Sequence, residues 1–149
     1  MHATTTLIAL ALAAVPAFAV VTCSPTLDGV PKPFKVDVEL AQQQMQVAGI
    51  TPGISGDPHQ YQNGDHIAWP ERKCLWDAQP ASQLYEYPLF WVGSKQKTWE
   101  KDVKSSNQDH TPIRVVYTLL GGTLKYCGVM THTEVDKSNQ GFGAFKICS

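Results

Sequence analysis

Four cysteines constrain this chain more than any other feature, because two of them stand at its ends. Cys23 and Cys148 bracket the region between them, and Cys74 and Cys127 lie inside it. In an oxidising compartment four cysteines imply two disulfides, in one of three connectivities. A Cys23–Cys148 bond would staple the ends of the fold, and Cys74 would then pair with Cys127. The chain-entropy model assigns so long a closed loop about 4–5 kcal/mol.

The oxidising compartment is read from the N-terminus. Leu7 to Val15 is an apolar core, and Ala17-Phe18-Ala19 has the small-x-small form of a cleavage site. Met1 to Ala19 therefore reads as a secretory signal peptide, too short in its apolar run to cross a bilayer. Cleavage after Ala19 would start the mature chain at Val20. The competing reading of this stretch is a buried N-terminal helix.

Residues 20–149 have the length of one ordinary domain, without internal repeats or low-complexity tracts. Asp37 can cap a helix running to about Ala48. Val38, Ala41, Met45 and Ala48 recur at helical spacing, glutamines fill the outer face, and Gly49 is placed to end it. Beyond the Gly/Pro-rich segment Thr51 to Gly56 the chain reads as strands and loops. Leu84 to Trp91 is β-prone, Ile113 to Leu119 is a strong strand, and Gly121-Gly122 turns it into a return strand over Thr123 to Thr133. Phe142 to Cys148 reads as a short last strand. Gly64 to Gln83 and Gly93 to Thr111 are long loops, which in a compact domain are commonly functional. The class is α+β: one main helix packed on a twisted antiparallel sheet.

Four short segments carry the candidate chemistry: Asp57-Pro58-His59, Glu86-Tyr87-Pro88, Arg114-Val115-Val116-Tyr117 and Thr131-His132-Thr133. Together they supply a pair of imidazoles, a pair of carboxylates and a guanidinium. That set suffices to cleave RNA without a metal: a base for the 2′-OH, an acid for the 5′-oxygen and a fixed cation for the phosphate. The product would be a 2′,3′-cyclic phosphate, later opened by water with the two roles exchanged. Alternation puts Arg114, Val116 and Thr118 on one face of their strand, and Tyr126, Gly128, Met130 and His132 on one face of the next. If Glu86 faces the same side, the ionisable groups converge on one surface. Each residue also has a structural reading: a surface carboxylate, a satisfied histidine, an Asp-Pro turn, a cross-strand salt bridge.

His66 and His110, beside Asp65 and Asp109, do not match a standard zinc spacing, so no metal or other cofactor is assigned. The formal net charge of −1 gives no global attraction to nucleic acid. Positive charge is local: Lys95, Lys97, Lys101 and Lys104 crowd the Gly93 to Thr111 loop, diluted by Glu100 and Asp102. They are candidate substrate contacts or a solvated face.

The stretches VTCSPTLDG, KPFKVDV, SGDPHQY, GDHIAW, EYPLFWVG, KDVK, TPIRVVY, YCGVMTHTEVDKSNQG and FKIC resemble the fungal secreted guanyl-specific ribonucleases. Within them the chain is most similar to ribotoxins of the hirsutellin-like branch. The resemblance covers Val20 to Ser149, with gaps mainly in loops. It implies a monomeric toxin that enters cells past their membrane lipids. There it would cut one phosphodiester bond in the sarcin–ricin loop of large-subunit ribosomal RNA, acting on the ribosome in the cytosol. It implies the pairings Cys23–Cys148 and Cys74–Cys127. It implies Glu86 as general base, His132 as general acid, His59 as second histidine, Arg114 as phosphate-binding arginine and Phe145 as the aromatic beside them. Tyr117 matches a tyrosine whose hydroxyl reaches the site, although alternation puts it opposite Arg114, so a twist or bulge must bring it in. Asp57 stands where the wider superfamily has tyrosine, and agrees with the hirsutellin-like branch. Ribotoxins tend to be basic, and this chain departs from that.

Two other functions compete. One is a nonspecific secreted ribonuclease used for nutrition. The other is a ribonuclease-like effector that binds a host target without cleaving, whose signature would be loss of the acid, base or arginine.

Overall fold

A computed structural model describes residues 19–74 and 83–149. The signal peptide read over Met1 to Ala19 lies outside them except for Ala19, as does much of the second half of the Gly64 to Gln83 loop.

The chain opens with β1 (Val20–Cys23), β2 (Thr26–Leu27), β3 (Val30–Pro31) and β4 (Phe34–Asp37), which lead into the helix α1 (Val38–Ala48). Then follow β5 (His59–Tyr61), β6 (Leu84–Leu89), β7 (Ile113–Leu120), β8 (Thr123–Val135) and β9 (Gly141–Ile147). β1 and β4 form a separate antiparallel ribbon. The main sheet runs β3-β2-β8-β7-β6-β5, with β9 also paired to β8. Its pairings are antiparallel except that of β2 with β8, which is parallel at Thr26 and Glu134. The sheet is therefore mixed rather than purely antiparallel. β2 arrives by a long connection and not from a hairpin with β8, so no tight turn dictates its direction. The four N-terminal strands are too short for an alternation signal, and sequence reading did not assign them.

The helix begins as its cap residue dictates. Asp37 Oδ1 accepts hydrogen bonds from the backbone N–H of Glu39 at 2.9 Å and Leu40 at 3.4 Å, satisfying donors that the first turn cannot pair. It ends at Gly49, whose φ of 61° suits a residue without Cβ. Ala41, Met45 and Ala48 are buried, as the helical spacing requires, and Gln44 is buried with them.

The sheet is covered on both faces. On one face Val115 and Tyr117 of β7, Tyr87 and Leu89 of β6 and Val129 of β8 pack against Ala41, Met45 and Ala48. On the other, Leu84, Val116, Met130 and Cys127 join Tyr61, Trp69 and Cys74 in a smaller cluster, with Phe145 against its edge. This double burial explains why β7 reads as a nearly continuous apolar run.

Two disulfides decide among the three connectivities: Cys23–Cys148 and Cys74–Cys127. The first is flanked by a backbone pairing of the ends, Thr22 N–H to Ser149 O at 2.9 Å and Ser149 N–H to Thr22 O at 3.2 Å. The second ties the segment after β5 to β8, over the smaller cluster.

The Gly93 to Thr111 loop is held by its own bonds. Tyr87 Oη donates to Trp99 O at 3.0 Å. Gln108 Oε1 accepts from Glu100 N–H at 2.8 Å while its Nε2 donates to Glu100 O at 2.7 Å.

Candidate active site

Strand register settles which residues share a face. His59 of β5 lies directly opposite Glu86 of β6. Glu86 lies opposite Val116 of β7, one same-face position from Arg114, and Arg114 lies opposite Met130 of β8. His132 follows Met130 by one alternation and pairs with Phe145 of β9. Directly opposed residues project to the same side of a sheet. Five neighbouring strands therefore place His59, Glu86, Arg114, His132 and Phe145 in one row.

Arg114 is at the centre of the row. Its side chain is only 18% exposed, and its Nε lies 3.8 Å from Glu86 Oε1. Its Nη1 donates to the carbonyls of Thr111 and Ile113, both at 2.9 Å. These bonds fix the guanidinium plane, and among the described residues Nη2 has no protein partner. A preset planar cation of this kind suits two oxygens of a phosphate or phosphorane.

Glu86 is held above the usual carboxylate range. Burial is the main cause; Arg114 and His59 oppose it, and Asp57 and Asp65 add to it. A carboxylate raised by burial is a stronger base once ionised.

His132 is held below the usual imidazole range. Burial is the largest cause and Arg114 also lowers it, against the Gly143 carbonyl and Asp65. Its Nδ1 lies 2.9 Å from Gly143 O. A carbonyl only accepts, so Nδ1 carries hydrogen and Nε2 is the nitrogen left for proton transfer. The ring rests on Phe145, with centroids 4.0 Å apart.

Asp57 precedes Pro58 through a cis peptide bond. Its Oδ1 is 3.1 Å from His59 Nδ1; the aspartate side chain is 8% exposed and the histidine 59%. The buried carboxylate thus orients an exposed imidazole. Burial raises Asp57 above the usual range, opposed by His59 and Arg114. A groove of about 390 Å³ runs along this side of the row, lined by Asp57, His59, Arg114, Trp99 and His110 among others.

Two expectations are corrected by position. Tyr117 does not reach this row. It faces the helix, fully buried, with its hydroxyl donating to Gly49 O at 2.6 Å and its ring stacked on Tyr85. A register shift does occur between Val116 and Tyr117. Val116 pairs with Gly128 and Tyr117 with Tyr126, so the extra residue, Cys127, is on β8; the bulge leaves the alternation of β7 intact but breaks that of β8, and Tyr126 packs on the helix side rather than with Gly128, Met130 and His132. Lys101 is likewise not a free cation. Its Nζ donates to Ala48 O at 2.8 Å and Thr51 O at 2.9 Å, closing the C-terminal end of α1. Lys97 Nζ is bonded to Ser94 O, while Lys95 and Lys104 are exposed.

Sequence reasoning also missed residues around the row. Asp65 bears on both Glu86 and His132. Trp99 lines the groove, and Gly141 and Gly143 lie against the His132 ring and Nδ1. Asp65 stands beside His66 in a loop and carried only the discounted metal signal. Among the described residues no group of three or more His, Cys, Asp and Glu side chains could hold a metal ion.

Comparison with known proteins is consistent with this geometry. A family model described as ribonuclease matches residues 24–146. The solution structure of hirsutellin A from Hirsutella thompsonii is 54% identical, covering 87% of this chain and 98% of that one, with a TM-score of 0.75. Restrictocin, described as a highly specific Aspergillus ribotoxin, is 22% identical over 88% of this chain and 99% of its own, with a TM-score of 0.67. The cytotoxic ribonuclease alpha-sarcin is 20% identical over 88% and 99%, with a TM-score of 0.66. The last two establish likeness of fold alone. No match is found among curated protein sequences.

Proposed function

Because this chain belongs to the ribonuclease family and is an endoribonuclease by that membership, we propose that it is a secreted ribotoxin. Its target in this reading is one phosphodiester bond in the sarcin–ricin loop of large-subunit ribosomal RNA, and its effect is arrest of translation. The observation that carries the proposal is the row His59, Glu86, Arg114, His132 and Phe145 on one face of five strands.

Chemistry follows from the row. Glu86 takes the proton of the 2′-OH, and the freed oxygen attacks the adjacent phosphorus. His132 Nε2 gives its proton to the departing 5′-oxygen. The bond to that oxygen breaks, leaving a 2′,3′-cyclic phosphate and a 5′-hydroxyl. Water then opens the ring with Glu86 and His132 in exchanged roles. Arg114 and protonated His59 face the charge that grows on the phosphorane oxygens. Asp57 orients His59. Phe145 shields the reacting groups from water, which strengthens that field. DNA lacks the nucleophile and is inert. The nucleophile belongs to the RNA, so the reaction needs no metal-bound water and no cofactor.

Residues 1–19 are the signal peptide in this proposal and 20–149 the secreted, monomeric enzyme, which crosses target-cell membrane lipids to reach the cytosol. Lys95, Lys97 and Lys104 contact phosphates of the structured RNA beyond the reacting one.

The test is incubation of the purified mature chain with intact ribosomes, followed by sizing of the RNA. One discrete fragment is expected, unaffected by EDTA while the ribosomes stay intact. A smear would mean a nonspecific secreted ribonuclease, and no cleavage a non-catalytic effector. The His132→Gln variant should cleave about 10²–10⁴-fold more slowly, the range for general acid–base catalysis. A near wild-type rate in that folded variant would remove His132 from the mechanism.

A further inference from the structure

The groove beside Arg114 continues past His110. There it meets a second groove of about 380 Å³, between the Gly93 to Thr111 loop and the turn after β8. Asp109 and His110 line both. The divide between them is a hydrogen-bonded bridge. Ser138 Oγ donates to Asp136 Oδ1 at 2.7 Å and lies 3.2 Å from His110 Nδ1. Its single hydrogen is committed to Asp136, so His110 Nδ1–H is the donor to Ser138. His110 Nε2 is then the ring nitrogen free for a ligand.

The second groove has set walls. Gln96 Nε2 donates to Thr98 O and Gln108 Oε1, both at 2.9 Å, and Gln96 Oε1 accepts from Asp109 N–H at 2.8 Å. These groups hold the loop in shape. What the groove offers a ligand is different: the exposed Lys95, His110 Nε2, and the half-buried ring of Trp91 beside Phe90. Asp109 is the opposing charge, on the shared edge. Arg114 and His110 thus line the first groove, and His110 and Lys95 the second. A lysine and a hydrogen-bonding imidazole beside an aromatic surface are what a single-stranded polynucleotide needs, for a phosphate and a base.

We propose that this second groove binds a nucleotide of the RNA beyond the two that flank the scissile bond. Lys95 meets its phosphate, His110 Nε2 accepts from an N–H of its base, and the Trp91 side takes the base's face. The assignment rests on the ribonuclease reading of the neighbouring site.

The experiment compares kcat/KM for a dinucleoside phosphate and for a single-stranded pentanucleotide with the same scissile step. The proteins are wild type, His110→Ala, and Ser138→Trp, which fills the groove. Thermal melting of each variant establishes that it folds. The wild type should gain on lengthening the substrate. Each variant should lose about tenfold of that gain, the scale of one base contact, and Ser138→Trp, outside the active-site groove, should cleave the dinucleoside phosphate at the wild-type rate. Binding of the 2′-deoxy pentanucleotide, which cannot react, should weaken in both variants. A full gain on lengthening in both variants, with unchanged binding, overturns the proposal, as does equal loss on both substrates. If the wild type cleaves neither substrate, the ribonuclease reading fails, and binding of the deoxy oligonucleotide still decides the groove.

Discussion

A Cβ atom on Gly141 would lie 2.4 Å from Cδ2 of His132, and 2.8 Å from Cα of Pro112. The imidazole therefore rests on bare backbone. Pro112 O also accepts the His132 N–H at 2.9 Å, so the strand cannot easily withdraw. The φ of Gly141 is not in the left-handed region, so the cost of a side chain here is contact rather than backbone strain. Gly141→Ala should shift the ring and lower kcat on a dinucleoside phosphate by about 10²-fold, the effect of a misplacement near 1 Å. KM should change little, and stability should fall by about 1–3 kcal/mol. An unchanged kcat would mean that the imidazole has room elsewhere.

The pH profile should be a narrowed bell. Glu86 works ionised, and burial raises it above its ordinary 4.5, so the rising limb moves up. His132 works protonated, and burial lowers it below its ordinary 6.5, so the falling limb moves down. On a dinucleoside phosphate the two limbs of kcat/KM should lie closer together than an unperturbed glutamate and histidine would place them. Phe145→Ala should expose the His132 ring, relieve part of its desolvation and move the falling limb upward, with the rising limb unchanged. A flat wild-type profile through pH 7.5 would contradict the assignment.

The lysines of the Gly93 to Thr111 loop should separate into two kinds. Lys101→Ala removes the bonds to Ala48 O and Thr51 O and should cost about 1–2 kcal/mol of stability. Neutralising Lys95 and Lys104, which are exposed, should leave melting unchanged, weaken cleavage of intact ribosomes and flatten its salt dependence. Cleavage of a dinucleoside phosphate should not change. Equal loss on both substrates would mean that the loop supports the catalytic row instead.

Removing the terminal disulfide should lower stability by about 2–5 kcal/mol in a Cys23→Ser, Cys148→Ser variant. The bond closes 125 residues of separation, and the Thr22–Ser149 pairing beside it is too small to replace it. Phe145 lies three residues from Cys148, so activity should fall at temperatures below the new melting point. Denaturant unfolding and activity measured against temperature check both statements.

The elements most legible in the sequence are those that local chemistry specifies. The Asp37 cap, the Ala41–Met45–Ala48 stripe and the Gly121-Gly122 turn each carry their signal within a few residues, and α1, β7 and β8 stand where that signal puts them. Short β1 to β4 were not legible, since strands of two to four residues show no period. The parallel pairing of β2 was equally hidden, because it is a contact between distant segments.

For the candidate site, the sequence by itself determined which side chains were available and how they alternate along each strand. Glu86, Arg114 and His132 share a face only if the strands pair in one register, and alternation within a strand carries no information about its neighbour's offset. Tertiary structure decided that offset and put His59 and Phe145 in the same row. It also turned Tyr117 to the helix, committed Lys101 to the end of α1 and set Gly141 beneath His132. Burial decided the directions in which Glu86 and His132 titrate, because desolvation depends on every element packed around a group and not on the residues beside it in the chain.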